Sequence, residues 1–217
     1  MHDALLAKER YDIADLVEIV AILRAPGGCP WDREQTHASL RKGFVEETYE
    51  VIEAINKNDA AMMREELGDV LLQVVFHAEI ERENGAFDFD DVCDEICRKL
   101  IVRHPHVFGD VHAETSAEVL TNWDAIKRKT KKQDTVAEAM AAVPRELPAL
   151  MRAQKLLHKG AKAGFEPELD PAEGVGQTLM AVLRQADRAD VDAEQALSDA
   201  ADAYLDAFAR WEQNGTK

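Results

Sequence analysis

Apolar residues in the first half of the chain recur at helical spacing. Ile13, Leu16, Val17, Ile19, Val20 and Leu23 fall on one broad face of a helix predicted over 12–23. Ala25-Pro26-Gly27-Gly28 must end it. The loop that follows, Cys29-Pro30-Trp31-Asp32, places an aromatic ring where no regular element is predicted. A second helix is predicted from about residue 44 to 56, and a third from about 59 to 83, stopped by Asn84-Gly85. The short connection between them forces an antiparallel hairpin. A fourth helix over 91–102 is opened by Asp88-Phe89-Asp90 and ends before Pro105. After a loop, a fifth covers 116–131. No strand-like alternation interrupts this pattern, so the expected fold class is all-α, a helical bundle.

Past Gln133 the character changes. Pro144 and Pro148 bracket a linker, a helix is predicted over 147–162, and Gly164, Pro167, Pro171, Gly174 and Gly176 mark loops. Two helices rich in Ala and Asp follow. The reading divides the chain into a domain over 1–132 and a second helical region over 133–217.

Composition agrees with compact helices: 46% of the 217 residues are hydrophobic, with only seven prolines and eleven glycines. The first twenty residues mix charges with apolar residues and lack the form of a signal peptide, and no run approaches a membrane span. A cytoplasmic, soluble protein is expected. The formal charge of −16 repels the phosphate backbone, so nucleic acid is not an expected partner. A small anionic substrate would need a bridging cation. Cys29, Cys93 and Cys97 fit no metal or redox spacing and read as small buried thiols of a reducing compartment.

The chemistry concentrates on the hairpin. The second helix carries Glu46, Glu47, Glu50 and Glu53, and the third carries Glu65, Glu66 and Asp69. Spacings of three put Glu47 with Glu50, and Glu66 with Asp69, on one face of each helix. Asp69 opens the run Val70-Leu71-Leu72-Gln73-Val74-Val75-Phe76, which is expected to be buried nearly all round. An unpaired carboxylate there costs several kcal/mol, and a divalent cation removes both that penalty and the mutual repulsion. The plainer alternative is a pair of solvated acidic faces. All four candidates offer oxygen, which suits Mg²⁺ (or Mn²⁺) better than Zn²⁺. Mg²⁺ with open positions typically meets a phosphate.

Lys99, Arg103, Lys127 and Arg128 on the fourth and fifth helices could neutralise such a substrate, and Trp31 and Trp123 could stack on a base. Taken alone, each of these cations is more often a solvated surface charge, and ordinary core or rim packing explains each ring at least as well. Glu34-Gln35-Thr36-His37 is an isolated ExxH and reads as surface, whereas His104 and His106 around Pro105 read as structural. There is no GxxxxGK[ST] loop, no HExxH and no Gly-rich dinucleotide turn.

Glu46-Glu47-x-x-Glu50 followed by Glu66-x-x-Asp69 resembles the signature of the MazG nucleoside triphosphate pyrophosphohydrolases, within the all-α NTP pyrophosphatases. Gly28-Cys29-Pro30-Trp31-Asp32, Arg103-His104-Pro105-His106-Val107-Phe108 and Trp123-x-x-x-Lys127 extend the likeness over about residues 10–130. The resemblance implies a homodimeric helical bundle and Mg²⁺-dependent cleavage of nucleoside triphosphates between the α- and β-phosphates. The products would be a nucleoside monophosphate and pyrophosphate, in a house-cleaning or pool-control role. It also implies Glu47, Glu50, Glu66 and Asp69 as catalytic metal ligands, Lys99, Arg103 and Lys127 as phosphate contacts, and Trp123 as a nucleotide contact, with Trp31 in the loop that sets base choice.

Two departures accompany the resemblance. Residues 147–165 look like the start of a second copy of the domain, yet that copy has no EExxE and no ExxD. Ala203 and Ala207 stand where it would carry basic phosphate contacts, so it reads as shortened and degenerate. Relatives often carry a basic residue one turn before each carboxylate motif, where this chain has Gly43 and Met62.

Overall fold

A computed structural model describes residues 3–130 and 135–215. Among the described residues every regular element is helical, as the pattern required. The chain divides into two compact units, Met1–Val111 and His112–Lys217. The composition shift near residue 133 therefore falls inside the second unit.

In the first unit a short α1 (Asp3–Leu6) precedes α2 (Ile13–Arg24). Asp12 caps α2: its carboxylate accepts from the Ala14 and Asp15 backbone N–H groups, and Asp15 returns the bond in a capping box. The loop after α2 is not irregular throughout. Pro30 at the first helical turn starts α3 (Pro30–Glu34), because a residue without an N–H costs nothing there. Gly28 is dictated by contact: a Cβ would lie 2.3 Å from the Leu23 carbonyl oxygen, so the chain can fold back over the end of α2 only at glycine.

The hairpin is α4 (His37–Lys57) and α5 (Ala60–Asn84). Helix α4 starts well before residue 44, because Thr36 and Ser39 form a capping box at its head. Its turn into α5 is compressed to two residues. Asn58 takes the left-handed conformation (φ 52°) and Asp59 caps α5 through the Ala61 and Met62 N–H groups. Gly85 (φ 73°) ends α5 as the sequence predicted. Helix α6 (Phe89–Arg103), capped by Asp88, packs against α5 and leads into the short α7 (Pro105–Phe108).

Val20, Leu40, Val75, Phe76 and Ile80 form the core of this unit, flanked by Leu16, Val17, Leu72 and Phe89. Arg24 is buried beside it. Its guanidinium makes a two-pronged pair with Glu83 (2.8 and 2.7 Å), donates to the carbonyls of Asp32 and Gln35, and lies 5.2 Å over the Phe76 ring. One side chain thereby ties α2, α3 and α5 together.

The burial expected for 70–76 is met only at its end. Val75 and Phe76 are buried, Val70, Leu72, Gln73 and Val74 are half-buried, and Leu71 is exposed. Packing covers one face of α5, and the other stays open along with Val45, Tyr49, Ile52 and Ile55 of α4. The thiols also differ from expectation: Cys29 and Cys93 are half-buried and Cys97 is exposed.

The second unit contains α8 (Ser116–Thr130), α9 (Val136–Ala141), α10 (Ala149–Lys162), a 3₁₀ turn over Pro171–Glu173, α11 (Val175–Arg188) and α12 (Ala193–Gly215). Helices α10 and α11 pack together and both contact α12. The residue 131 end expected for the fifth helix lies outside the described residues.

Candidate active site

The hairpin geometry aims three carboxylates at one point. Glu47 on α4 and Glu66 and Asp69 on α5 are all half-buried, and one oxygen from each lies within 4.8 Å of the others. Two features of the helices allow this. Leu40, Gly43, Glu47 and Ala54 belong to the stripe of α4 that meets α5, with Ala54 fully buried. Gly43 keeps the two helices close, since a Cβ there would come within 3.3 Å of the Gln73 amide. A long basic side chain at 43 would have to displace that contact, which accounts physically for this departure from the relatives' pattern. Lys42 instead pairs with Glu46 at 2.9 Å on the exposed side, which removes Glu46 from the cluster.

Glu50 is exposed and outside the triplet, yet it acts on both Glu47 and Glu66. The Glu47 carboxyl is pushed above its ordinary range, first by burial, then by the Glu50 contact and the charges of Asp69, Glu50 and Glu66. Glu66 is raised by burial first, then by Glu50, Glu65 and Asp69. A cation at this point would relieve both the burial and the mutual repulsion of these oxygens. The donor set is all oxygen, which a hard divalent ion fits.

The other predicted residues are distributed more widely. Arg103 is buried in the last turn of α6, and Lys99 is exposed one turn earlier. Trp31 is 63% exposed on α3. Trp123 and Lys127 are half-buried on α8, in the second unit, and the Arg128 side chain lies outside the described residues. His104 is tied to its own helix through the Leu100 carbonyl at 2.6 Å, as a structural role requires.

One cluster escaped the sequence reading. His37 Nδ1 lies 2.7 Å from His77 Nδ1, and His37 Nε2 lies 2.6 Å from the Glu81 carboxylate. The ring centroids are 4.9 Å apart in nearly parallel planes. That separation is close to the sum of the nitrogen contact and the two ring radii, so the rings meet edge to edge in a hydrogen bond rather than face to face. His77 is shifted down by burial and by the neighbouring His37. Only the HxxxE spacing of His77 and Glu81 was visible beforehand, and it does not point to a residue forty positions away.

The profile of the MazG nucleotide pyrophosphohydrolase domain matches residues 35–108, which contain the whole carboxylate hairpin. The chain is 45% identical to a nucleoside triphosphate pyrophosphohydrolase of Escherichia coli strain K12, over 86% of this chain and 69% of that protein. It is 39% identical to the nucleoside triphosphate pyrophosphohydrolase/pyrophosphatase MazG of Thermotoga maritima, over 92% and 85% respectively. A nucleoside triphosphate pyrophosphohydrolase of Mycobacterium tuberculosis is 38% identical over 89% of this chain and 56% of its own length.

Proposed function

Because this chain belongs to the MazG nucleotide pyrophosphohydrolase family, a hydrolase family, we propose that it cleaves nucleoside triphosphates between the α- and β-phosphates with Mg²⁺. Products are a nucleoside monophosphate and pyrophosphate, and the role is nucleotide-pool control. The observation that carries this reading is the convergence of Glu47, Glu66 and Asp69 on one point of the hairpin, with Glu50 one turn from Glu47 on α4.

These four carboxylates would hold the ion. When bound, Mg²⁺ or Mn²⁺ supplies the positive charge that draws phosphate oxygens to an acidic surface and acidifies water. The chain's own residues do the rest. Glu50, the most exposed of the four, completes the oxygen donor set beside Glu47 and Glu66. Lys99 and Arg103 neutralise phosphate charge from α6, Lys127 and Trp123 act from α8, and Trp31 contacts the base. Residues 133–217 carry no second carboxylate set and serve as a non-catalytic, degenerate repeat. The exposed apolar stripe of Val45, Tyr49, Ile52 and Ile55 is the face by which two copies pair. Light scattering on the purified chain reads that dimer, and a monomer of full activity would overturn it. No described helix is long and apolar enough to cross a membrane.

The test is incubation with each common NTP and dNTP plus Mg²⁺, with products resolved by anion exchange. Monophosphate plus pyrophosphate is expected, abolished in Glu66→Gln and in Asp69→Asn. Loss in both variants also leaves residues 133–217 without a hydrolytic site of their own. Diphosphate plus orthophosphate would overturn the bond assignment, and turnover surviving both substitutions would place the site elsewhere.

A further inference from the structure

The second unit contains a cleft of opposite charge to the rest of the molecule. About 590 Å³ of space lies between α8, α9, α10 and α11, lined by Lys127, Lys155, Lys159 and Lys162. Leu120, Val136 and Ala139 form an apolar wall. His158 and Asp187 also line it and bond one another at 3.1 Å. The chain as a whole carries a formal charge of −16, so a cavity lined by four lysines runs against its average.

Helix chemistry explains part of this arrangement and not the rest. Lysines in the last turn of a helix complement its dipole, which accounts for Lys159 and Lys162 on α10. Lys155 lies outside that turn and four residues before Lys159, where like charges oppose helix formation by a few tenths of a kcal/mol. Lys127 comes from a different helix, α8. Ammonium groups from two helices that converge on one concavity, with apolar walls to focus their field, are the arrangement that attracts a multiply charged anion. The volume falls in the range of small-molecule sites. The wall of Leu120, Val136 and Ala139 offers contact to something other than phosphate, so an anion with an apolar or aromatic body fits better than a bare one.

We propose that this cleft is a second, non-catalytic site for a nucleoside polyphosphate, its phosphates on Lys155, Lys159 and Lys162 and its base against the apolar wall. Its phosphate contacts leave out Lys127, which the hydrolytic reading uses, and none of them lies on the carboxylate hairpin. Without a divalent ion the hairpin repels phosphate, so chelator silences it while leaving the lysines intact.

The experiment is calorimetric titration of the full chain in EDTA at low salt, once with inorganic tripolyphosphate and once with ATP. Saturable binding of one molecule per chain is expected, weakening as salt rises, with ATP at least as tight as tripolyphosphate. The Lys155→Ala/Lys159→Ala/Lys162→Ala variant should lose at least tenfold in affinity, and the single Lys159→Gln a smaller factor, which guards against misfolding of the triple variant. Glu66→Gln should bind as the parent does. Absence of saturable binding, indifference to the lysine substitutions, or loss in Glu66→Gln would overturn the site. ATP binding more weakly than tripolyphosphate would overturn the nucleotide assignment. Hydrolysis assays read the hairpin separately, so failure of one proposal leaves the other distinguishable.

Discussion

Replacing Glu47 with glutamine should stabilise the protein in chelator and destabilise it, relative to the parent, in Mg²⁺. The carboxylate oxygens of Glu47, Glu66 and Asp69 lie within 4.8 Å of one another. At that distance two unit charges repel by ~0.9 kcal/mol in water and ~3.5 kcal/mol at an effective dielectric constant of ~20. Glu47 is half-buried, so the lower end applies, and with two such neighbours its charge costs the metal-free fold about 2 kcal/mol. Glutamine keeps the shape and a hydrogen-bonding amide toward Glu50 while removing that repulsion. A cation reverses the ledger: at a hundredfold excess over its dissociation constant a ligand stabilises the native state by about 2.7 kcal/mol. For a chain of this size each kcal/mol moves the midpoint by roughly 2–4 °C. Thermal unfolding at pH 8 should therefore show Glu47→Gln melting about 4–8 °C above the parent in EDTA. Saturating Mg²⁺ should raise the parent by about 5–10 °C and the variant far less, so the order of the two midpoints closes or inverts. A variant that melts below the parent in EDTA would mean that the carboxylates are not in net repulsion. An equal Mg²⁺ shift in both proteins would place the ion elsewhere.

Two other perturbations follow from the same first unit. Arg24→Met removes both prongs on Glu83 and orphans the Asp32 and Gln35 carbonyls. Because Glu83 is itself 37% exposed, the loss should be about 3 kcal/mol, at the low end for a broken buried pair, measured by urea unfolding. Arg24 holds the Glu83 carboxyl below its ordinary range, so its stabilisation is present above pH 4.5 and lost as pH falls through the lowered value. That acid-side slope should be shallower in Arg24→Met than in the parent, and an identical slope would refute the assignment. His77 has the same sign in a higher pH window. Its folded value sits below 6.5, so it contributes nothing at pH 8 and lowers stability as pH drops beneath 6.5. His77→Phe should flatten the profile in that window, and an unchanged slope would refute the assignment to His77.

Local chemistry decided which parts of this fold could be read in advance. Asp12, Asp59, Asp88 and Gly85 act on neighbours within four residues, so their caps were legible and the helices they bound fell within two residues of expectation. The start of α4 was not, because Ser39 rather than Glu or Gln closes the box with Thr36, and the residues after it are polar. Proline at 30 reads as a breaker unless one asks whether it opens a helix. The carboxylate triplet was legible because spacing along a helix fixes a face and a two-residue turn fixes the partner. Glu50's position beside the triplet rather than within it depends on side-chain placement that spacing does not encode. The His37–His77–Glu81 chain joins residues on two helices and was invisible for the same reason.

The misjudged burial of residues 70–76 is the instructive failure, since it bears on the site itself. Seven nearly continuous apolar residues on a helix demand cover on all sides, and this unit supplies it on one. The demand does not vanish: Leu71 joins Val45, Tyr49, Ile52 and Ile55 among the exposed apolar residues of the hairpin that bears the carboxylates. Pairing of two copies through that hairpin would dry the site's surroundings and strengthen every charge in it. The half-buried state of Glu47, Glu66 and Asp69 is then a lower bound on their need for a cation, and the Mg²⁺ shift predicted for the parent should grow with protein concentration.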